Sequence, residues 1–267
     1  MTLATTGPDV RDLDVLGRQV HLLSDGSGRP VLYLHGMGDL GAWTPALARL
    51  AEQFTVLRPD HPGFGDSDDD PAVDSMLDLA FSYLDVLDAL GLERVDLIGM
   101  SLGGWLAAEL AILAPHRVGR VVLLAPAGLR ITAAAPDVFT LDPVELAALT
   151  VHDPQAKALA IAAAEQVGSD QVAFQRYLRN RAATAHLGWN PYMHDPKLRV
   201  HRLAAPVLVL WGAQDQIIPV EQAAVWDQAV PHAVVETVSD AGHLLAADRP
   251  DVVAGRIIPF LTEGGAE

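Results

Sequence analysis

A serine hydroxyl stands between two glycines in Gly99-Met100-Ser101-Leu102-Gly103. The apolar run Val95 to Ile98 leads into it, and a helix-like run, Trp105 to Leu113, follows. Strand, sharp turn and helix hold such a serine on a strained apex with its hydroxyl exposed. The hydroxyl is a poor nucleophile at neutral pH and needs a base, which in turn needs a carboxylate to orient it. The chain has ten histidines. His201 and His232 each precede a strand-like run, whereas His243, in Ser239-Asp-Ala-Gly-His243, follows Ala233 to Val238. Groups at the carboxyl ends of strands converge on one site, so His243 is the expected base. Asp215 lies five residues beyond Leu210 and is the expected acid. Asp240 competes, but three residues before His243 it suits bracing of its own loop, and Asp227 falls in a helix-like run. An oxyanion requires backbone N–H donors. Leu102, directly after the nucleophile, and Met37, in the loop His35-Gly36-Met37-Gly38, are the expected donors, with Gly36 and Gly38 giving that loop an unusual backbone. His35 reads as a brace for the same loop.

These groups need a scaffold that brings strand ends together. Gln19 to Leu23, Val31 to Leu34, Thr55 to Leu57, Val95 to Ile98, Val121 to Leu124, Val207 to Leu210 and Ala233 to Val238 read as strands. Their continuous Val/Leu/Ile composition suits parallel strands buried on both faces. Trp43 to Ala51, Met76 to Leu90 (with Gly91 as its stop) and Pro250 to Leu261 read as helices. This alternation predicts a doubly wound α/β sheet. From about Pro136 to Arg202 no strand is evident, and helical runs occupy Pro143 to Leu149, Gln155 to Gln166 and Asp170 to Ala185. That length exceeds a single crossover. The expected organisation is a core of residues 1–135 and 203–267 with a helical cap, 136–202, inserted in it.

Eighteen basic against 34 acidic residues give a net charge of −16, with only two lysines, Lys157 and Lys197. Such a chain is repelled by nucleic-acid phosphates and anionic membranes, so neither is an expected partner. Absence of cysteine removes disulfides, thiolate metal sites and a cysteine nucleophile together. No metal and no cofactor are called for. Asp60-His-Pro-Gly-Phe-Gly-Asp-Ser67 reads as a compact structural turn in preference to a metal site at Asp60, His61 and Asp66. The N-terminus shows no basic segment followed by a long apolar one, and no run is long enough to span a bilayer. A soluble, cytoplasmic protein is expected; a homo-oligomer is left open.

His35-Gly36 and its loop, Asp60-x-Pro-Gly-x-Gly-x-Ser67, Gly-Met-Ser101-Leu-Gly-Gly, Trp211-Gly-x-x-Asp215 and Ala241-Gly-His243 occur in this order. On these five motifs the chain resembles the α/β-hydrolase superfamily, the lidded single-domain serine hydrolases, over essentially its full length. The resemblance implies the α/β-hydrolase fold, a mostly parallel, doubly wound sheet of about eight strands with a helical cap insertion. It implies the same roles for Ser101, Asp215, His243, Met37 and Leu102. General likeness is to carboxylesterases and to serine C–C bond hydrolases of aromatic degradation. The latter usually carry Gly-Asn-Ser-Met-Gly-Gly, a Ser-Gly-Pro-Gly-type loop and a Trp after the histidine, where this chain has Met100, Met37-Gly-Asp39 and Leu244. The expected activity is hydrolysis of a small carboxylic ester through an acyl-enzyme. The alternatives are C–C cleavage of a ring-fission dienoate, a perhydrolase, and a ligand-binding protein on a hydrolase scaffold. Phe139, Trp189, Tyr192, Met193 and Leu244 are the candidates to touch substrate, each equally placed to be core. Arg176, Arg179 and Arg181 suit either a substrate carboxylate or, preferably, a solvated helix face.

Overall fold

Unbroken apolar strands must be covered on both faces, and the computed structural model, which describes residues 7–39, 41–129, 135–188 and 197–263, builds its sheet on that rule. The strands are β1 (Asp9–Val15), β2 (Arg18–Asp25), β3 (Pro30–Leu34), β4 (Thr55–Pro59), β5 (Val95–Met100), β6 (Val118–Leu124), β7 (Val207–Gly212) and β8 (Val234–Val238). They form one eight-stranded sheet in the order β1-β2-β4-β3-β5-β6-β7-β8. β1 and β2 pair antiparallel, as do β2 and β4; every later pairing is parallel. Every residue of β5 and β7 is buried. β1 had no apolar signal: its DVRDLDV sequence is exposed almost throughout, as an edge strand allows.

Helices α1 (Pro45–Ala51), α2 (Met76–Ala89), α3 (Leu102–Leu113), α8 (Gln222–Ala229), α9 (Leu245–Asp248) and α10 (Pro250–Thr262) accompany the sheet. α1 starts at Pro45, two residues later than its apolar pattern suggests, because the Thr44 side chain accepts the Leu47 N–H and proline fits the first helical position. Between β6 and β7 lie α4 (Pro143–Thr150), α5 (Pro154–Ser169), α6 (Gln171–Gly188) and α7 (Lys197–Val200). No strand occurs there among the described residues. Asp142 and Glu145 form a reciprocal capping box at the start of α4, and Asp153 caps α5. α7 is tied back to α3 by Arg199 and the buried Glu109, 2.7 Å apart.

Strand order reverses around β3 and β5, the switch point at which ligands bind in open α/β sheets. Ser101 follows β5, and the Met37 loop follows β3. Among the described residues no helix is long and apolar enough to cross a membrane.

Candidate active site

Ser101 has φ 52° and ψ −113°, a conformation that non-glycine residues rarely adopt. Its strain is held by the surroundings: the Ser101 N–H donates to the Leu124 carbonyl at 2.9 Å, and its own carbonyl accepts from Gly104 and Ala127. The flanking glycines are steric requirements. A Cβ on Gly99 would lie 2.2 Å from the Gly103 carbonyl oxygen, and one on Gly103 would lie 2.0 Å from that of Leu34. So tight a strand-to-helix crossing brings the α3 N-terminus, whose first N–H groups have no carbonyl one turn earlier, beside the serine. Leu102 is the first residue of that helix.

His243 Nε2 lies 3.0 Å from Ser101 Oγ, and its Nδ1 lies 2.8 Å from Asp215 Oδ2. The other Asp215 oxygen accepts the N–H groups of Ile217 and Ile218 at 2.9 Å each. Asp215 is therefore fixed as an acceptor, which places the imidazole proton on Nδ1 and leaves Nε2 to accept from the serine hydroxyl. Both His243 and Asp215 are buried. Asp240 takes no part: its carboxylate pairs with Arg249 at 3.2 Å. His232 donates toward the Ala205 carbonyl, away from this cluster. A Cβ on Gly212 would meet the Gly242 carbonyl at 2.0 Å, so its absence lets the Asp215 and His243 loops touch. Asp248 was not foreseen. Its buried carboxylate accepts the N–H groups of Gly242 (2.7 Å), Asp153 (2.7 Å) and His152 (3.0 Å), tying the histidine loop to the α4–α5 turn.

The Met37 loop lies against the serine: a Cβ on Gly36 would be 3.4 Å from Ser101 Cβ. Neither Gly36 nor Gly38 uses the left-handed backbone, so at Gly36 closeness to the serine is what demands glycine. Behind the loop, His35 and His61 stack at 3.7 Å between ring centroids. The His61 N–H donates to His35 Nε2 and His61 Nε2 faces the His35 carbonyl, both at 3.0 Å. With His35 Nε2 accepting, His35 Nδ1 carries the proton and donates to the Gly36 carbonyl. Burial, aided by Arg58, pushes His35 down to about 4, and burial beside His35 holds His61 well below the usual imidazole range. Both rings are thus neutral braces and not second bases.

Above Ser101 opens a cavity of about 960 Å³. Its walls come from the Met37 loop, from Trp105 and Leu129, from α4, α5 and α6, and from Ile217, Ile218 and Leu244. Phe139 and Leu244 line it as expected candidates, whereas Trp189, Tyr192 and Met193 lie outside the described residues. Among the described lining residues there is no arginine or lysine, and Asp39 is the one carboxylate. The α5 contribution, Ala160, Ala163, Ala164 and Val167, has helical spacing but was unremarkable as sequence. Arg176, Arg179 and Arg181 neither line the cavity nor point to free solvent. Arg176 pairs with Asp66; Arg179 donates to the Gly65 and Ser67 carbonyls and to Asp69; Arg181 donates to the carbonyls of Phe139 and Leu141. They fasten α6 to the Asp60–Asp69 turn and to the chain before α4. Within that turn His61 faces His35 and Tyr83, so it cannot join Asp60 and Asp66 around an ion. Potential ligand atoms of His21, Asp60 and Asp66 come within 4.8 Å of one another, but Asp60 is already occupied by Arg58 and by the Asp66 N–H.

The chain is 33% identical over 241 residues to the dihydrolipoyllysine-residue acetyltransferase component of the acetoin cleaving system of Cupriavidus necator; the match covers 86% of this chain and spans 63% of that relative's length. It is 27% identical over 285 residues to 2-hydroxymuconate semialdehyde hydrolase of Pseudomonas sp. strain CF600, covering 100% of this chain and 99% of the relative. In structure it resembles the 2-hydroxy-6-oxo-6-phenylhexa-2,4-dienoate hydrolase of Rhodococcus sp. strain RHA1, with TM-score 0.81 and 24% identity over 96% of this chain and 99% of that one. The model of the alpha/beta hydrolase family matches residues 31–256. The chain belongs to the alpha/beta hydrolase family.

Proposed function

We propose that the chain is a serine hydrolase of an uncharged, largely apolar carboxylic ester. The observation that carries this reading is the relay Asp215–His243–Ser101, at 2.8 and 3.0 Å, on the floor of a mostly apolar cavity. Ser101 Oγ attacks the ester carbonyl as His243 Nε2 takes its proton, and Asp215 stabilises the imidazolium. The N–H groups of Met37 and Leu102 stabilise the oxyanion. The C–O bond breaks as His243 protonates the departing alcohol; water then attacks the acyl-enzyme by the same route and releases the acid. In this reading the helices of residues 136–202 are the cap that shapes the substrate space. A cavity of about 960 Å³ sits at the upper end of ordinary ligand pockets, so the acyl and alcohol groups need not be short. Replacing Ser101 by Ala should lower kcat/KM on nitrophenyl esters by ~10³-fold or more. A fluorophosphonate should label the wild-type chain and not the variant. A folded Ser101→Ala protein with near-wild-type activity sinks the reading.

The hydrolases of 2-hydroxymuconate semialdehyde and of the phenylhexadienoate favour a second reading, C–C bond hydrolysis. Such a dienoate carries a carboxylate, which is best buried against a cation, and the described cavity wall holds no arginine or lysine. A dienoate turned over faster than nitrophenyl esters would replace the first reading by the second.

A further inference from the structure

Arg58 is a charged residue inside the apolar strand β4, with no solvent exposure. Its Nη1 donates to Asp60 at 2.8 Å and its Nη2 to Asp39 at 2.7 Å. Burial disfavours the charged guanidinium, but Asp39 and Asp60 more than offset that and leave it firmly protonated. Buried ion pairs contribute little to stability compared with apolar side chains of the same size; their best-attested use is to fix one geometry. Here the geometry concerns the loop beside Ser101. Asp39 lies two residues beyond Met37 and lines the same cavity as Ser101. The Asp39 oxygen that meets Arg58 also accepts the N–H groups of Gly41 (2.9 Å) and Ala42 (3.2 Å). The Asp39 N–H donates to the Gly36 carbonyl at 3.3 Å, closing a turn around Met37. From α6, the buried Asn180 donates to the Asp39 carbonyl at 2.8 Å. His61 secures the other end of the loop at His35. Met37 is therefore held between two clamps, and Arg58 is the buried anchor of one of them.

The pair also settles a charge problem. An unpaired Asp39 carboxylate in this cavity would oppose the negative charge that develops on the reacting carbonyl oxygen, strongly so where water is scarce. Arg58, whose one charge is shared between Asp39 and Asp60, offsets it from behind.

We propose that Arg58 is a positioning residue of the oxyanion loop: through Asp39 it keeps the Met37 N–H aimed at the reacting oxygen and offsets the charge of the carboxylate beside it. This rests on the serine-hydrolase reading above. The test compares Arg58→Gln, Asp39→Asn and the double variant with the wild-type enzyme. It measures kcat and KM on a nitrophenyl ester and inhibition by an alkyl boronic acid, a mimic of the tetrahedral state, with thermal melting to establish folding. Arg58→Gln should lower kcat and boronate affinity in step, by about 10–100-fold, while KM stays within about 2-fold. Asp39→Asn should show a smaller loss of the same kind. The double variant should exceed Arg58→Gln in kcat, because the carboxylate stranded in the cavity itself is gone. If Arg58→Gln does not fold, Arg58→Lys and Asp39→Asn carry the same comparison, with the lysine keeping the charge but losing the two-pronged grip. A folded Arg58→Gln protein with wild-type kcat, a loss confined to KM, or a double variant no better than Arg58→Gln overturns the proposal. Activity retained by Ser101→Ala would instead overturn the hydrolase reading, so the two failures are distinguishable.

Discussion

Replacing Asp248 by Ala tests how His243 is held, because one carboxylate joins the histidine loop to the α4–α5 turn. It receives N–H groups from Gly242, Asp153 and His152, and Asp248 is only 8% exposed. Gly242 directly precedes His243, and the adjacent Leu244 N–H donates to the Thr150 carbonyl at 2.8 Å, on the same seam. Alanine removes every acceptor on this side chain and leaves three donors in a nearly dry pocket. At about 1–3 kcal/mol for each unsatisfied buried group, with water entering the vacated space to offset part, the loss is about 3–5 kcal/mol. That is a large share of the roughly 5–15 kcal/mol that holds a typical domain together. Asparagine keeps one acceptor oxygen but turns an NH₂ toward a donor, so it should cost about 1–3 kcal/mol. Urea unfolding followed by circular dichroism measures both, provided the slope is unchanged. Because the seam includes the residue before His243, Asp248→Asn should also lower kcat more than it raises KM. An alanine variant within about 1 kcal/mol of wild type, at equal slope, refutes the claim that these three bonds carry the seam.

Acid should weaken the fold through His35 and His61. The folded His35 sits at about 4 against an ordinary 6.5, so its contribution is complete above pH 6.5 and is lost as pH falls toward 4, where the unfolded chain takes up protons that the folded one refuses. At about 1.4 kcal/mol per pH unit this is on the order of 3 kcal/mol, and NMR titration showing a His35 imidazole near 6.5 would remove its basis. Asp215→Asn should keep the fold but present the wrong imidazole tautomer to Ser101, lowering kcat by ~10⁴-fold; a loss below tenfold would mean that Asp215 does not orient His243. Gly103→Ala drives a Cβ to 2.0 Å from the Leu34 carbonyl and 2.6 Å from that of His35, both backbone atoms that cannot swing aside. It should give insoluble protein or a melting point lowered by many degrees, and a soluble variant of wild-type stability would show that the strand-to-helix crossing can widen to admit a methyl group.

The grouping of Ser101, Asp215 and His243 is legible because the requirement is positional. Ser101, Asp215 and His243 each follow a recognisable apolar run, and strand ends converge whatever the details of packing. What escaped reading depends on partners remote in sequence. Arg58 interrupts an apolar strand, a visible oddity, but its role is set by Asp39, 19 residues earlier, and by a loop whose path no local pattern gives. Arg176 and Arg179 looked like a solvated helix face because their partners in the Asp60–Asp69 turn lie 110 or more residues away. β1 escaped because an edge strand needs hydrogen bonds from one neighbour only and no buried side chains, which leaves its DVRDLDV sequence free of apolar alternation. α5 shows the deepest limit. Its Ala160, Ala163, Ala164 and Val167 recur at helical period, and that period says only that one face avoids water. It does not say whether the face meets packed side chains or a cavity kept for a ligand. None of the α5 residues is buried, yet this face lines the space above Ser101. The order of chemical groups along a chain follows from fold topology, whereas the shape of what they act on follows from volume left unfilled, and an unfilled volume has no residues of its own to be read.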